Sequence, residues 1–115
     1  MWLPVELPLD LREAGIPLES PESGLAWSSG VALAIIDALR NSTVAIVSCE
    51  VFRSDRVGLV PLYEGWSVER HMDEAASDFA ARSRKVAKDK IEAQTRSGAG
   101  AQFFAMAFSG QQDAA

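Results

Sequence analysis

This 115-residue chain has one cysteine, one histidine and no glycine-rich phosphate loop, and each of these facts excludes a class of site. Cys49 is the only cysteine, so an internal disulfide cannot form, and a lone thiol fits a reducing cytoplasm. One cysteine and one histidine do not supply the three or four nitrogen or sulfur ligands that zinc sites usually need. No glycine-rich phosphate loop precedes a helix. We therefore predict no metal and no cofactor.

Long hydrophobic runs are also missing, since none approaches the roughly 20 residues that cross a bilayer. Residues 1–4 lack the basic segment of a secretory signal. Hydrophobic residues make up 48% of the chain and charged residues 23%, which is typical of a globular protein. We expect a single cytoplasmic domain over residues 1–115, with no membrane association.

Clustered basic residues are missing from most of the chain. Up to Asp78 there are thirteen acids and five arginines, whereas the remainder carries a small positive excess, and the net charge is −5. Binding to nucleic acid needs clustered lysine and arginine, so direct nucleic-acid binding is not expected. Two interpretations of the acidic charge stay open: it attracts a basic protein partner, or it keeps a small protein soluble.

Periodicity predicts an α+β fold, a small antiparallel sheet of three to four strands with two main helices on one face. One helix follows an N-cap at Ser28 or Ser29, and a second begins at Asp73 or Glu74, with its basic residues on a solvated face. Strands are predicted at 43–52, 57–62 and 66–70, with turns between them. The uncharged segment 102–109 is either a paired strand or a surface for homo-oligomers, and 111–115 is a flexible tail.

Signals for catalysis are weak. Cys49 lies in the most apolar strand, where cysteine behaves as a small hydrophobe, and His71 has no nucleophile to serve. Glu50 and Glu64 would need a favourable hairpin register to act as an acid pair. We predict no catalytic residue and no enzyme. The alternative is a small-molecule-binding or enzymatic α+β domain with its pocket between sheet and helices.

Large aromatic groups and acids concentrate in residues 44–70 and just beyond. Trp and Tyr are frequent hot-spot residues in protein interfaces. For Trp66 and Tyr63 the alternative is that they cap the core with only their polar tips wet. We predict a partner-binding site with Asp73 and Glu74 at its rim. Its members are Glu50, Tyr63, Glu64, Trp66, Glu69, Asp73 and Glu74.

Four short motifs resemble the immunity protein 40 family of bacterial polymorphic-toxin systems. Together with a similar opening at 7–16 they occur in order, so that the resemblance covers about residues 7 to 91, and it does not extend over 97–115. The motifs are an alanine- and leucine-rich helix at 32–39, the strand Ala-Ile-Val-Ser-Cys-Glu-Val-Phe at 45–52, Pro-Leu-Tyr-Glu-Gly-Trp at 61–66, and Phe-Ala-Ala-Arg-Ser with a later alanine at 79–87. The resemblance implies a protein that binds and blocks a cognate toxin domain encoded beside it.

Overall fold

A computed structural model describes residues 3–18, 24–56, 58–98 and 100–109. The predicted fold class is confirmed, with one five-stranded antiparallel sheet in the order β1-β2-β5-β3-β4. The strands are β1 (Ile16–Pro17), β2 (Leu25–Ser28), β3 (Ala45–Asp55), β4 (Gly58–Ser67) and β5 (Gln102–Ser109). The helices are α1 (Leu9–Glu13), α2 (Ser29–Ala38) and α3 (Ala76–Ser97).

The uncharged segment β5 lies inside the sheet, hydrogen-bonded to β2 on one side and β3 on the other. Of the two predictions for this segment, the structure therefore bears out the paired strand. Phe104 and Met106 are buried in the core, which explains why the segment tolerates no charge. One edge of β5 is paired with β3 over Gln102–Ser109, and the other is paired with β2 at Phe103 and Phe104. The predicted tail at 111–115 lies outside the described residues.

Helix α2 forms where the sequence predicts it. The Ser28 hydroxyl accepts a hydrogen bond from the backbone N–H of Val31, the expected N-cap contact. Ala32, Ile35 and Ile36 form the buried stripe and pack against β2 and β5. The same face of the sheet is covered further along by α3, which packs on β3. The main core lies between this face and the helices.

Helix α3 begins at Ala76, so the prediction that Asp73 or Glu74 opens it is wrong. The Glu74 carboxylate instead accepts hydrogen bonds from the backbone N–H of His71 and from the Arg82 guanidinium. These bonds fold residues 68–75 into a loop that is tied to the first turns of the helix. Helix propensity does not predict this loop, because the partner of Glu74 is Arg82, a side chain of the helix itself.

Strand β4 is continuous where the sequence predicts a strand, a turn and a second strand. Glu50 of β3 pairs with Gly65, but Phe52 pairs with Pro61, so three residues of β4 stand opposite one residue of β3. The predicted turn is thus a β-bulge. Tyr63, in the middle of it, has φ of 57°. Pro61 is tolerated because β4 is the edge strand of the sheet.

A second register shift occurs at Val47, where α3 supplies a hydrogen-bond partner for the backbone of β3. The register between β3 and β5 shifts between Ile46 and Ser48. The backbone N–H of Ile46 donates to Ser83 Oγ at 2.9 Å, and that hydroxyl donates to the Ala80 carbonyl at 2.8 Å. Because Ser83 is fully buried, its hydroxyl gives a partner to an N–H that water cannot reach.

Replacing Ser83 with alanine should lower the free energy of unfolding by about 1–3 kcal/mol, since the buried N–H of Ile46 loses its acceptor. Chemical denaturation checks this. The matched control is Ser77→Ala, an exposed position on the same helix, which should change stability by less than about 0.5 kcal/mol. Equal stability of the two variants would show that the Ile46 N–H finds another acceptor.

Candidate functional site

The seven residues of the predicted site do not form one continuous cluster. Glu50 lies in β3, a strand that is paired on both sides. Three others follow one another through the bulge of β4, and three belong to the loop between β4 and α3. These last two groups are Tyr63, Glu64 and Trp66, and Glu69, Asp73 and Glu74.

Glu50 projects from the side of the sheet that faces away from α2 and α3. Its neighbours in sequence, Cys49 and Val51, are buried in the main core, and side chains alternate between the faces of a strand. We call this side, where it carries Ser48, Glu50 and Phe52, the open face. None of the described helices packs on it, and Glu50 is exposed there.

Tyr63 is 94% exposed, although it is one of the largest side chains of the molecule. Its φ of 57° places the backbone in the left-handed region, which disfavours any residue with a Cβ by roughly 1–2 kcal/mol. An exposed ring contributes little to stability that would offset this. The fold thus holds an aromatic side chain in water at a backbone position that favours glycine.

Glu64 and Trp66 are on the helix side of β4. Trp66 pairs with Cys49 and packs half-buried against the main core, and the Glu64 carboxylate accepts a hydrogen bond from Gln94 of α3. Gly65 lies between them. Its backbone approaches β3 so closely that a Cβ at this position would overlap the carbonyl oxygen of Cys49. The Trp66 Nε1–H is buried and has no hydrogen-bond partner in the described part of the chain.

Glu74 is engaged within the molecule. Its two carboxylate oxygens accept hydrogen bonds from Arg82 Nε and Nη2, both at 2.8 Å, and one of them also accepts from the His71 N–H at 3.0 Å. The Arg82 bonds and then the His71 bond lower the pKa of Glu74 from 4.5 to about 2. Glu69 and Asp73, in the same loop, have exposed side chains. They are the carboxylates of this loop that are exposed to solvent.

The ion pair of Glu74 predicts acid sensitivity. The carboxylate titrates near 4.5 when unfolded and near 2 when folded, so its stabilising contribution is complete above about pH 4.5 and disappears as the pH falls toward 2. Urea midpoints measured from pH 7 to pH 2 should show Glu74→Gln below wild type at pH 7, with the two converging in acid. The control Glu69→Gln should follow wild type throughout. A constant gap between Glu74→Gln and wild type would contradict the assignment.

The residues considered for catalysis are kept apart. Cys49 is buried under the helices, and burial followed by the charge of Glu50 raises the pKa of its thiol from 9.0 to about 12. At neutral pH this thiol is protonated and a poor nucleophile. Glu50 faces the opposite side of the sheet, and His71 lies exposed in the loop before α3. Within the described ranges, no three His, Cys, Asp or Glu side chains converge as metal ligands would.

The basic face of α3 contains one residue that sequence reasoning misplaced. Arg84 was expected on a solvated face, but it is only 7% exposed. Its guanidinium donates to the carbonyls of Arg40, Ser42 and Val44, at 3.2, 3.2 and 2.7 Å, where α2 leads into β3. Burial lowers its pKa. Arg84 thereby caps carbonyls beyond the end of α2 and lines a groove of about 370 Å³ between α2 and α3.

The family model described as Immunity protein 40 matches residues 10–108. The chain belongs to the immunity protein 40 family. The match includes β5, and so runs beyond residue 91, where the resemblance of the motifs ends. No curated protein and no solved structure gave a significant match. No helix in the described ranges is both long and apolar enough to cross a membrane.

Within the immunity protein 40 pattern, the helical motif at 79–87 is explained by folding contacts. Phe79 is buried against Ala45 and Val47, and the Arg82 guanidinium lies 5.5 Å from its ring centre while pairing with Glu74. Ser83 bonds Ile46, and Ala87 is fully buried. This motif docks α3 onto β3. Of the motifs that carry the resemblance, the bulge at 61–66 is the one that places a large aromatic side chain in solvent.

Proposed function

We propose that this chain is an immunity protein that binds the toxin domain encoded beside it in a bacterial polymorphic-toxin system. It neutralises that domain by direct occlusion, without catalysis of its own. Membership of the immunity protein 40 family supports this proposal. The protein acts in the cytoplasm, where an unprotected toxin of its own lineage would do harm.

The observation that carries the proposal is Tyr63. An exposed tyrosine on left-handed backbone adds little to the fold, and tyrosine is among the residues that most often dominate binding energy in interfaces. The bulge presents the ring at the edge of the sheet, next to the pair formed by Glu50 and Gly65. Such a ring is well placed to enter a pocket on a partner.

The acids of the predicted site lie in β3, in β4 and in the loop that follows β4. Glu50 lies on the open face, Glu64 is fixed by Gln94, and Glu69 and Asp73 extend from the loop before α3. A surface of this sign accelerates the approach of a basic partner. In the proposed complex, Trp66 and Glu74 do not contact the toxin but fix the site. Trp66 packs against the main core and positions the bulge, and Glu74 pairs with Arg82 and positions the loop.

Rescue of toxicity tests the proposal. The toxin domain encoded by the neighbouring gene is expressed in a bacterial host with this chain or with an empty vector, and growth is followed. We expect growth only with the immunity protein, and a stable complex when the purified chain meets a catalytically inactive toxin variant. Cell death in both cultures, together with no complex, would show that the proposed function is wrong.

A further inference from the structure

The acidic residue Glu50 lies at the centre of the open face, in a strand that is not at an edge of the sheet. Charged residues in sheets commonly protect an edge strand from pairing with other chains. Strand β3 is hydrogen-bonded on both sides, to β4 and β5, so this reason does not apply to Glu50. Glutamate is also disfavoured in strands. The solvated face of an antiparallel sheet carries polar residues, and protection of an edge is not the role of this one.

Small side chains surround Glu50 on this face. Its cross-strand partners are Gly65 in β4 and Ala105 in β5. The next row is equally small, with Ser48 between Ser67 and Ala107, and directly paired residues share a face of the sheet. No neighbour of this size shields the carboxylate. A long side chain from another molecule can lie across these rows and reach it.

Larger side chains lie on the other side of Glu50 along the strand. Phe52 follows Glu50 on the same face and stands between Pro61 of β4 and Phe103 of β5. Phe52 is 9% exposed and belongs to neither of the buried clusters under the helices, so its ring packs on the open face. Because Phe52 is almost fully covered, the aromatic wall next to the carboxylate is the half-buried ring of Phe103, and a planar cation interacts favourably with such a ring.

The Glu50 carboxylate makes no side-chain hydrogen bond or ion pair in the described part of the molecule. The neighbouring arginines are oriented elsewhere: Arg53 alternates to the opposite face, and Arg70 donates from Nε to the Glu74 carbonyl. The charge is available to a partner. Because the chain up to Asp78 is strongly acidic, a docking protein of basic charge is the complementary one.

We infer that the toxin domain docks on the open face and inserts one arginine side chain over the small residues around Glu50. The guanidinium pairs with the carboxylate through two parallel hydrogen bonds and stacks beside the half-buried ring of Phe103. Arginine fits better than lysine, because its planar fork matches a carboxylate and an aromatic wall at once. This inference rests on the proposed function and names the part of the partner that the site recognises.

Affinity for the inactive toxin variant tests the inference, with wild type, Glu50→Gln, Glu50→Asp and Glu13→Gln compared. We expect Glu50→Gln to raise Kd by about 30-fold or more, because the toxin arginine would be left without its partner. Glu50→Asp, with a shorter arm, should fall between. Glu13→Gln, an exposed acid on α1, should stay within about twofold of wild type. Unfolding midpoints confirm that every variant folds.

Arginines of the toxin domain are then replaced singly, and each is combined with Glu50→Gln in a double-mutant cycle. One arginine should lose its effect on Kd when Glu50 is already changed. If wild type binds and protects cells while Glu50→Gln binds equally well, or if no arginine couples to it, this inference is overturned and the proposed function stands. If Glu50→Gln causes only self-association, Glu50 keeps copies apart, and the inference is likewise overturned. If wild type neither binds nor protects, both fail.

Discussion

Tyr63→Gly should make the protein more stable and a much weaker inhibitor. Glycine adopts positive φ without strain, so the free energy of unfolding should rise by up to about 1 kcal/mol, despite the greater freedom of glycine in the unfolded chain. Loss of an aromatic anchor should weaken toxin binding by at least about 2 kcal/mol, or roughly 30-fold in Kd. Chemical denaturation and calorimetric titration measure the two effects separately.

Two control variants separate the backbone of Tyr63 from its ring. Tyr63→Ala keeps the left-handed strain and removes the ring, so binding should fall as for glycine without the gain in stability. Tyr63→Phe keeps the ring, and most of the affinity should remain. A glycine variant less stable than wild type would show that the ring supports the fold. Unchanged affinity in Tyr63→Ala would place the residue outside the interface.

Trp27→Ala should produce the largest loss of stability of any change considered, about 3–5 kcal/mol. Trp27 is fully buried, packs edge-on against Phe108 with ring centres 6.1 Å apart, and donates from Nε1 to the Leu11 carbonyl at 3.0 Å. The side chain therefore joins β2, β5 and α1. Its removal leaves a large cavity and an unpaired carbonyl. Denaturant unfolding should show most of the stability of a small domain lost.

The matched comparison is between the two tryptophans. Trp27→Phe removes a hydrogen bond to Leu11, whereas Trp66→Phe removes an N–H that has no partner within the described residues. Trp66→Phe should therefore destabilise the protein by at least about 1 kcal/mol less than Trp27→Phe. Equal losses would show that the Trp66 Nε1–H is satisfied in solution, and would remove the reason for treating the two residues differently.

Local features of the fold were predictable, because their signals are local. Helix α2 follows from the spacing of Ala32, Ile35 and Ile36 behind the Ser28 cap, all within about three turns. The hairpin of β3 and β4 follows from two apolar runs separated by a short polar loop. The start of α3 did not follow, since Glu74 accepts hydrogen bonds from Arg82 and from the His71 N–H and does not begin the helix.

The candidate site was predictable in composition but not in arrangement. Sequence reasoning identified the acids and aromatic residues of 50–74 as a group. The sequence does not show how many extra residues the bulge between Pro61 and Gly65 contains, so the face on which each side chain lies is undetermined, since one residue of slippage reverses it. The bulge separates Glu50, on the open face, from Glu64 and Trp66, on the helix side. It also exposes Tyr63.

By itself, the sequence determined the α+β class and the acidic, aromatic character of residues 44–70, because composition and periodicity encode these directly, and its ordered motifs carried the resemblance to the immunity protein 40 family. Only the tertiary structure decided that β5 lies inside the sheet, that Arg84 is buried, that Tyr63 is exposed and that Glu50 lies on the open face. These depend on pairing between segments far apart in the chain. Such pairing is selected by the packing of the whole core, which no single window of sequence contains.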